Sequence, residues 1–251
     1  AQPHENSAED PMMNEILSPP PIVPLAQILP EEPLLMMGAG PVPIPQSVAS
    51  ANSIVINHLG ESMNRVIAQV KAMGQYVFQT GSAHVIGVAG PGSAAMEMAI
   101  VNLVHPDARV LCICNGYFSR RMAEMVTRVK ATPVCMDIHG NVGADADEVE
   151  KWLRSERFDA LCIVQGETSN TVHNKQLEQI ARVGRKYGCA VIVDAVCTLS
   201  TMPLPMEEWD IDAVITGGQK GLSSIPGVSM LAFSERVWKE KIASRTSTPT
   251  H

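Results

Sequence analysis

At 251 residues the chain has room for one large domain or two small ones. Hydrophobic residues make up 45% and charged residues 18%, enough apolar side chains for a sizeable core. A formal net charge of −7 without a basic block argues against a nucleic-acid partner, and no apolar run is long enough to suggest a membrane span.

Residues 1–35 are rich in proline and acid, which forbids a long helix, and no alternation supports a strand. Ile16, Leu17, Ile22, Val23, Leu25, Ile28 and Leu29 interrupt them. Two readings stand: an extended arm that docks on a surface, such as another subunit's, or a disordered extension. The remainder, 36–251, reads as one large domain. It opens on a loop, Leu34 to Pro45, whose glycines let backbone approach a ligand closely, although a plain turn has the same composition. Helices are predicted over Ser47–Asn57 and Glu61–Phe78. In the second, Met63, Val66, Ile67, Val70 and Met73 recur at helical spacing.

His84–Ala89 then reads as a strand, and Gly90–Val104 as a glycine turn running into a helix with Met96, Ala99, Ile100 and Leu103 on its core face. A helix start of this kind presents free N–H groups and a positive dipole end to an anion, with the Ser93 hydroxyl beside them. Ordinary glycine capping is the alternative. Apolar runs at Arg109–Cys114, Thr132–Asp137, Ala160–Gln165, Ala190–Val193, Ala213–Thr216 and Val228–Phe233 read as further strands. Helices are predicted after Asn115, near Asp145–Ser155, over Gln176–Tyr187, and from Ser234 onward. The alternation predicts an α/β fold: a mostly parallel sheet with helices on both faces. The six cysteines, Cys112, Cys114, Cys135, Cys162, Cys189 and Cys197, lie in or beside the strands without CxxC spacing. They read as reduced thiols, with no metal site and no disulfide framework. No basic-then-apolar leader pattern opens the chain, so a cytoplasmic protein is expected, with peroxisome or mitochondrion as the eukaryotic alternatives.

Gly90–Ser93, Phe118, Thr168, Asp194 and Lys220 each follow a strand. Open α/β sheets hold ligands at the carboxyl ends of their strands. A lysine there can form a Schiff base with a carbonyl cofactor, and an aspartate can hold a pyridinium nitrogen protonated. That pair suits pyridoxal phosphate chemistry. Alone, the same two residues read equally as a capping Asp and a surface Lys.

The order GPGSAAMEMAIVN, NGYFS, GETSN, VDAVCTLS and TGGQKG, preceded by GAGPVPIP and QYVFQT, resembles the class V, fold type I pyridoxal-phosphate aminotransferases. The similarity runs from Leu34 to Lys241 and is greatest to the alanine/serine/ureidoglycine–glyoxylate aminotransferase group. It implies that Lys220 carries the cofactor pyridoxal 5'-phosphate and Asp194 pairs with its ring nitrogen. Phe118 then stacks on the ring, in a position often held by Trp, with Val196 on the other face. Thr168 lies near the phenolate oxygen; Gly92, Ser93 and Gln219 hold the phosphate; Gly40 lines the substrate site. At the phosphate turn relatives often carry SGSGH or SGTG, and this chain has AGPGS, whose Pro91 lacks an N–H.

The resemblance further implies a homodimer that transfers an amino group from alanine, serine or ureidoglycine to glyoxylate or a similar 2-oxo acid. It places a small C-terminal domain, the arginine for the substrate carboxylate and the neighbour-subunit phosphate contacts beyond residue 251. Alternatives are a lyase or desulfurase of the same class, although no cysteine follows Cys197, or a non-catalytic chain that binds cofactor or subunit.

Overall fold

The computed structural model describes residues 21–32 and 35–246. These fall into two units divided between Leu35 and Met36, each taken by itself. Most of the predicted arm, including residues 1–20, lies outside the described residues. Its described part carries one 3₁₀ turn, Leu25–Gln27, closed by Ile28 N–H on the Leu25 carbonyl at 2.9 Å, with Ile22, Leu25 and Leu29 exposed.

The second unit runs α1 (Gln46–Ala51), α2 (Glu61–Phe78), β1 (Val85–Ala89), α3 (Gly92–Leu103), β2 (Arg109–Cys114), α4 (Tyr117–Arg128), β3 (Thr132–Asp137) and α5 (Ala146–Ser155). It continues with β4 (Ala160–Val164), β5 (Gly166–Glu167), β6 (Val172–His173), α6 (Leu177–Lys186), β7 (Ala190–Asp194), β8 (Ala213–Gly217) and β9 (Val228–Phe233). A short helical turn, α7 (Glu235–Val237), is capped by the Ser234 hydroxyl, which accepts from Val237 N–H at 3.1 Å. A π-helical turn, Trp238–Ile242, follows it.

Seven strands form one sheet in the order β1-β9-β8-β7-β4-β2-β3. Every pairing from β8 to β3 is parallel, and β9 lies antiparallel between β8 and β1. Chain order reverses between β2 and β4, because β3 adds on one side of β2 and β4 on the other. Such a switch leaves a crevice at the strands' carboxyl ends.

The central strands β4, β7 and β8 are buried along their whole length, as expected for parallel strands covered on both faces. Successive side chains sort onto opposite faces. Val110, Cys112, Cys162, Ile192 and Ile215 pack on one side with α3 and α4. Leu111, Ile113, Leu161, Val191 and Val193 pack on the other with α5 and α6. All six cysteines are free thiols; burial raises Cys114 beyond the usual thiol range and Cys189 to about 12, so neither is a reactive thiolate at neutral pH.

One expectation needs correction. The helix predicted to Asn57 ends at Ala51: Asn52 turns its side chain back to the Val48 carbonyl at 2.8 Å, and the Ser53 hydroxyl bonds the Ser50 carbonyl at 2.7 Å. The β-branched run Ile54-Val55-Ile56 that follows has little reason to extend a helix. In α2 the periodic apolar residues Val66, Ile67, Val70 and Met73 do not face this chain's core; they are about half exposed, and only Gly74 and Phe78 are buried.

Helix α3 is tied at its far end by Arg245, whose guanidinium donates to the Val101 and Asn102 carbonyls at 3.0 and 2.6 Å. A cation on the last carbonyls complements the helix dipole and satisfies groups that the helix leaves open. Arg245→Ala is expected to cost about 1–2 kcal/mol in a denaturant melt without changing the m-value. An unchanged midpoint would show that the cap contributes nothing.

Candidate active site

The carboxyl ends of β1, β2, β4, β7 and β8 surround a cleft of about 200 Å³. Its lining includes Gly92, Ser93, Phe118, Thr168, Asp194, Val196, Gln219 and Lys220. Eight of the nine residues singled out from the sequence therefore share one cavity. The ninth, Gly40, is not in the lining but accepts a hydrogen bond from Lys220 Nζ at 3.2 Å through its carbonyl.

Lys220 sits in a tight turn directly after β8. Its N–H donates to the Gly217 carbonyl at 3.2 Å, and Ser224 N–H returns to the Gly218 carbonyl at 2.8 Å. The glycines in TGGQKG have steric reasons. A Cβ on Gly218 would fall 2.5 Å from the Val228 carbonyl oxygen and 2.6 Å from that of Ile225; one on Gly221 would collide with the Leu199 carbonyl. The Gly40 loop is laced onto this turn by Val42 N–H on the Gln219 carbonyl at 3.0 Å. Gly40 itself has φ +102°, and a Cβ there would collide with the Lys220 side chain. Only glycine satisfies both limits.

Asp194 is the last residue of β7, paired in register with Val164 of β4 and Ile215 of β8. It is 4% exposed. Its Oδ1 accepts from Val196 N–H at 2.8 Å, which turns the chain away from the strand. Burial pushes its carboxyl up to about 6; the Val196 N–H pulls the other way, Glu167 adds to the rise, and Lys220 offsets it. The site thus holds a carboxylate lacking enough positive charge, beside a lysine that supplies part of it.

At the start of α3, Gly92 and Ser93 occupy the first turn, where backbone N–H groups have no intrahelical acceptor. Gly90 does not contribute: its N–H is spent on the Gly227 carbonyl at 2.9 Å. With Pro91 lacking an N–H, the anion site expected over Gly90–Ser93 contracts to Gly92, Ser93 and the Ser93 hydroxyl. Val196 packs on Gly92, where a Cβ would meet its Cγ2 at 2.9 Å. Gln219 Oε1 is buried without a hydrogen-bond partner among the described residues. A buried polar atom left open at the edge of a cleft is a place for a ligand to bond.

Sequence reading missed Glu167. It lies next to Thr168, is fully buried, and accepts from Phe118 and Ser119 N–H at 3.3 and 2.9 Å. The available signal was an acid two residues past the predicted strand Ala160–Gln165, a position where burial without a partner would be costly. Cys197 was read only as a thiol; it also lines the cleft, bonded to the Gly166 carbonyl at 3.0 Å and pushed by burial up to about 11.

An open, mostly parallel sheet with a buried acid and a lysine at adjacent strand ends has the architecture of the large domain of fold type I transferases. Similarity to known proteins agrees. The profile of the family Aminotransferase class-V matches residues 45–245, and the chain belongs to that family. Alanine–glyoxylate aminotransferase of Oryctolagus cuniculus is 33% identical over 216 residues, 86% of this chain and 55% of that protein. Among solved structures, ureidoglycine–glyoxylate aminotransferase of Bacillus subtilis superposes with a TM-score of 0.83 at 26% identity, covering 88% of this chain and 57% of that one. Alanine–glyoxylate aminotransferase of Nostoc sp. gives 0.79 at 30% identity, covering 92% and 62%. The chain thus spans little more than half the length of these relatives. Among the described residues no helix is long and apolar enough to cross a membrane.

Proposed function

We propose that this chain carries the cofactor half of a pyridoxal-5'-phosphate-dependent aminotransferase. The reaction would pass the amino group of a small donor (alanine, serine or ureidoglycine) to glyoxylate or a similar 2-oxo acid. One observation carries the reading: Lys220 and Asp194 line a single cleft from the ends of neighbouring parallel strands. The residues present fit the cofactor. Gly92 and Ser93 offer the N–H groups of a helix start to a phosphate, Gln219 Oε1 is open to a hydrogen-bond donor on the ligand, and Asp194 lacks a full cationic partner. When bound, pyridoxal phosphate supplies an aldehyde that condenses with amines and an electron-poor ring that takes up negative charge.

The chain's residues then have distinct tasks. Lys220 Nζ would be the amine that holds the cofactor and, when free, the base placed to carry the donor's Cα proton. The Gly40 carbonyl gives that amine a resting partner. Asp194 holds a proton on the ring nitrogen, and a cation opposite it removes the penalty of its burial. Phe118 and Val196 supply apolar walls for the planar ring, and Thr168 supplies a hydroxyl beside it.

A homodimer is part of the same proposal. The half-exposed apolar face of α2 and the exposed Ile54, Val55 and Leu59 together suit a second copy better than water. The cofactor-loaded protein is expected to convert glyoxylate with at least one of alanine, serine or ureidoglycine in a donor panel. Activity with none of the three, and sulfur release from cysteine instead, would transfer the chain to the desulfurase reading.

A further inference from the structure

We infer that Glu167 is a positioning residue for the cleft, fixing the first turn of α4 and with it the ring of Phe118 and the backbone that presents Thr168. The inference rests on the cofactor reading proposed above.

Two consecutive N–H groups at the start of α4 end on this one carboxylate, and the one before them reaches it through the Ser169 hydroxyl. Ser119 N–H donates to Oε2 at 2.9 Å and Phe118 N–H to Oε1 at 3.3 Å. Tyr117 N–H donates to the Ser169 hydroxyl at 2.9 Å, and that hydroxyl donates onward to Oε1 at 2.7 Å. Ser169 N–H adds a further donor to Oε1 at 3.3 Å. The acid is 0% exposed, and no cation pairs with it among the described residues. Its charge is held by the N–H groups and dipole of a helix start. Room for it comes from Gly116, where a Cβ would collide with the Glu167 side chain.

A carboxylate bonded this way does more than cap a helix. Phe118, in that first turn, and Thr168, the next residue along from Glu167, both line the cleft. One side chain thus sets the spacing between two parts of the cleft lining that come from different strand ends. Its charge also contributes to the upward push on Asp194.

The test combines Glu167→Gln, Phe118→Ala and the double variant, read by pyridoxal phosphate affinity, visible circular dichroism of the bound cofactor, and amide exchange in the cofactor-free protein. Each single change is expected to weaken affinity about tenfold, the size of one lost charge-assisted bond or stacking contact. The double variant should lose clearly less than the product of the two single losses, since Glu167 acts in part through the Phe118 ring. Exchange at residues 117–119 should accelerate in Glu167→Gln. Additive losses in the double variant, or parental affinity and dichroism in Glu167→Gln, would overturn the inference. If Glu167→Gln does not fold, Ser169→Ala removes only the hydroxyl bridge; faster exchange at Tyr117 with a few-fold affinity loss supports the assignment, and no change opposes it. A parent protein that takes up no pyridoxal phosphate overturns the cofactor reading, while the exchange measurement still decides the positioning.

Discussion

Lys220→Ala is expected to abolish covalent uptake of pyridoxal phosphate and to lower transamination by about 10³-fold or more. On the proposed function two roles would be lost together: the amine that holds the cofactor and the base for the donor's Cα proton, the latter alone worth about 10²–10⁴-fold. No other lysine lines the cleft among the described residues. The fold should survive. Among the described residues the Lys220 side chain donates one hydrogen bond, to the Gly40 carbonyl at 3.2 Å, and its turn is held by backbone bonds and by Gly218 and Gly221. Losing that bond costs about 1 kcal/mol. A cofactor-free melting temperature within a few degrees of the parent, with absent visible absorbance, is the result to look for. Retained absorbance and rate would mean that another amine does the chemistry.

Asp194→Asn should lower the rate by about 10²–10³-fold, the usual effect of removing a preorganised charge from a dry site. The same change should leave the cofactor-free protein as stable as its parent or more so. Asn keeps an oxygen for the Val196 N–H, bonded at 2.8 Å in the parent. It removes a carboxylate whose folded pKa is raised from 3.8 to about 6 by burial. With the folded value above the unfolded one, the native state binds more protons between about pH 4 and 6. The stability tied to this group is therefore complete below about pH 4 and lost as pH rises through 6. That shift corresponds to about 3 kcal/mol at neutral pH, larger than the bond that Asn must replace. Paired denaturant melts should show Asp194→Asn gaining on the parent from pH 4 to 7. A gap that stays constant with pH would refute the buried, under-compensated acid.

Much of this was legible in the residues because the strands are parallel and central. β4, β7 and β8 are buried on both faces, so they read as continuous apolar runs, and whatever follows them falls at one end of the sheet. That is why Phe118, Thr168, Asp194 and Lys220 could be placed together without coordinates. Strand order could not be read the same way. The antiparallel β9 looks like its neighbours in sequence, since burial on both faces gives the same pattern in either direction. The apolar period of α2 identified a helix but not the partner of its face, because periodicity reports amphipathicity and not what covers it. Glu167 escaped because its bonds reach a helix start some 50 residues away, a relation that no local spacing reveals. Gly90 was assigned to the anion site on composition, and its N–H turned out to be committed to Gly227.

The most direct measurement is borohydride reduction of the cofactor-loaded protein followed by tryptic mapping. Trypsin cuts after Lys186 and Arg236, and a modified Lys220 blocks the one site between them. A single labelled peptide covering residues 187–236 is the expected product, with the tether on the lysine that shares its cleft with Asp194. Label on any other lysine, or a protein that carries no label at all, would contradict the proposed active site.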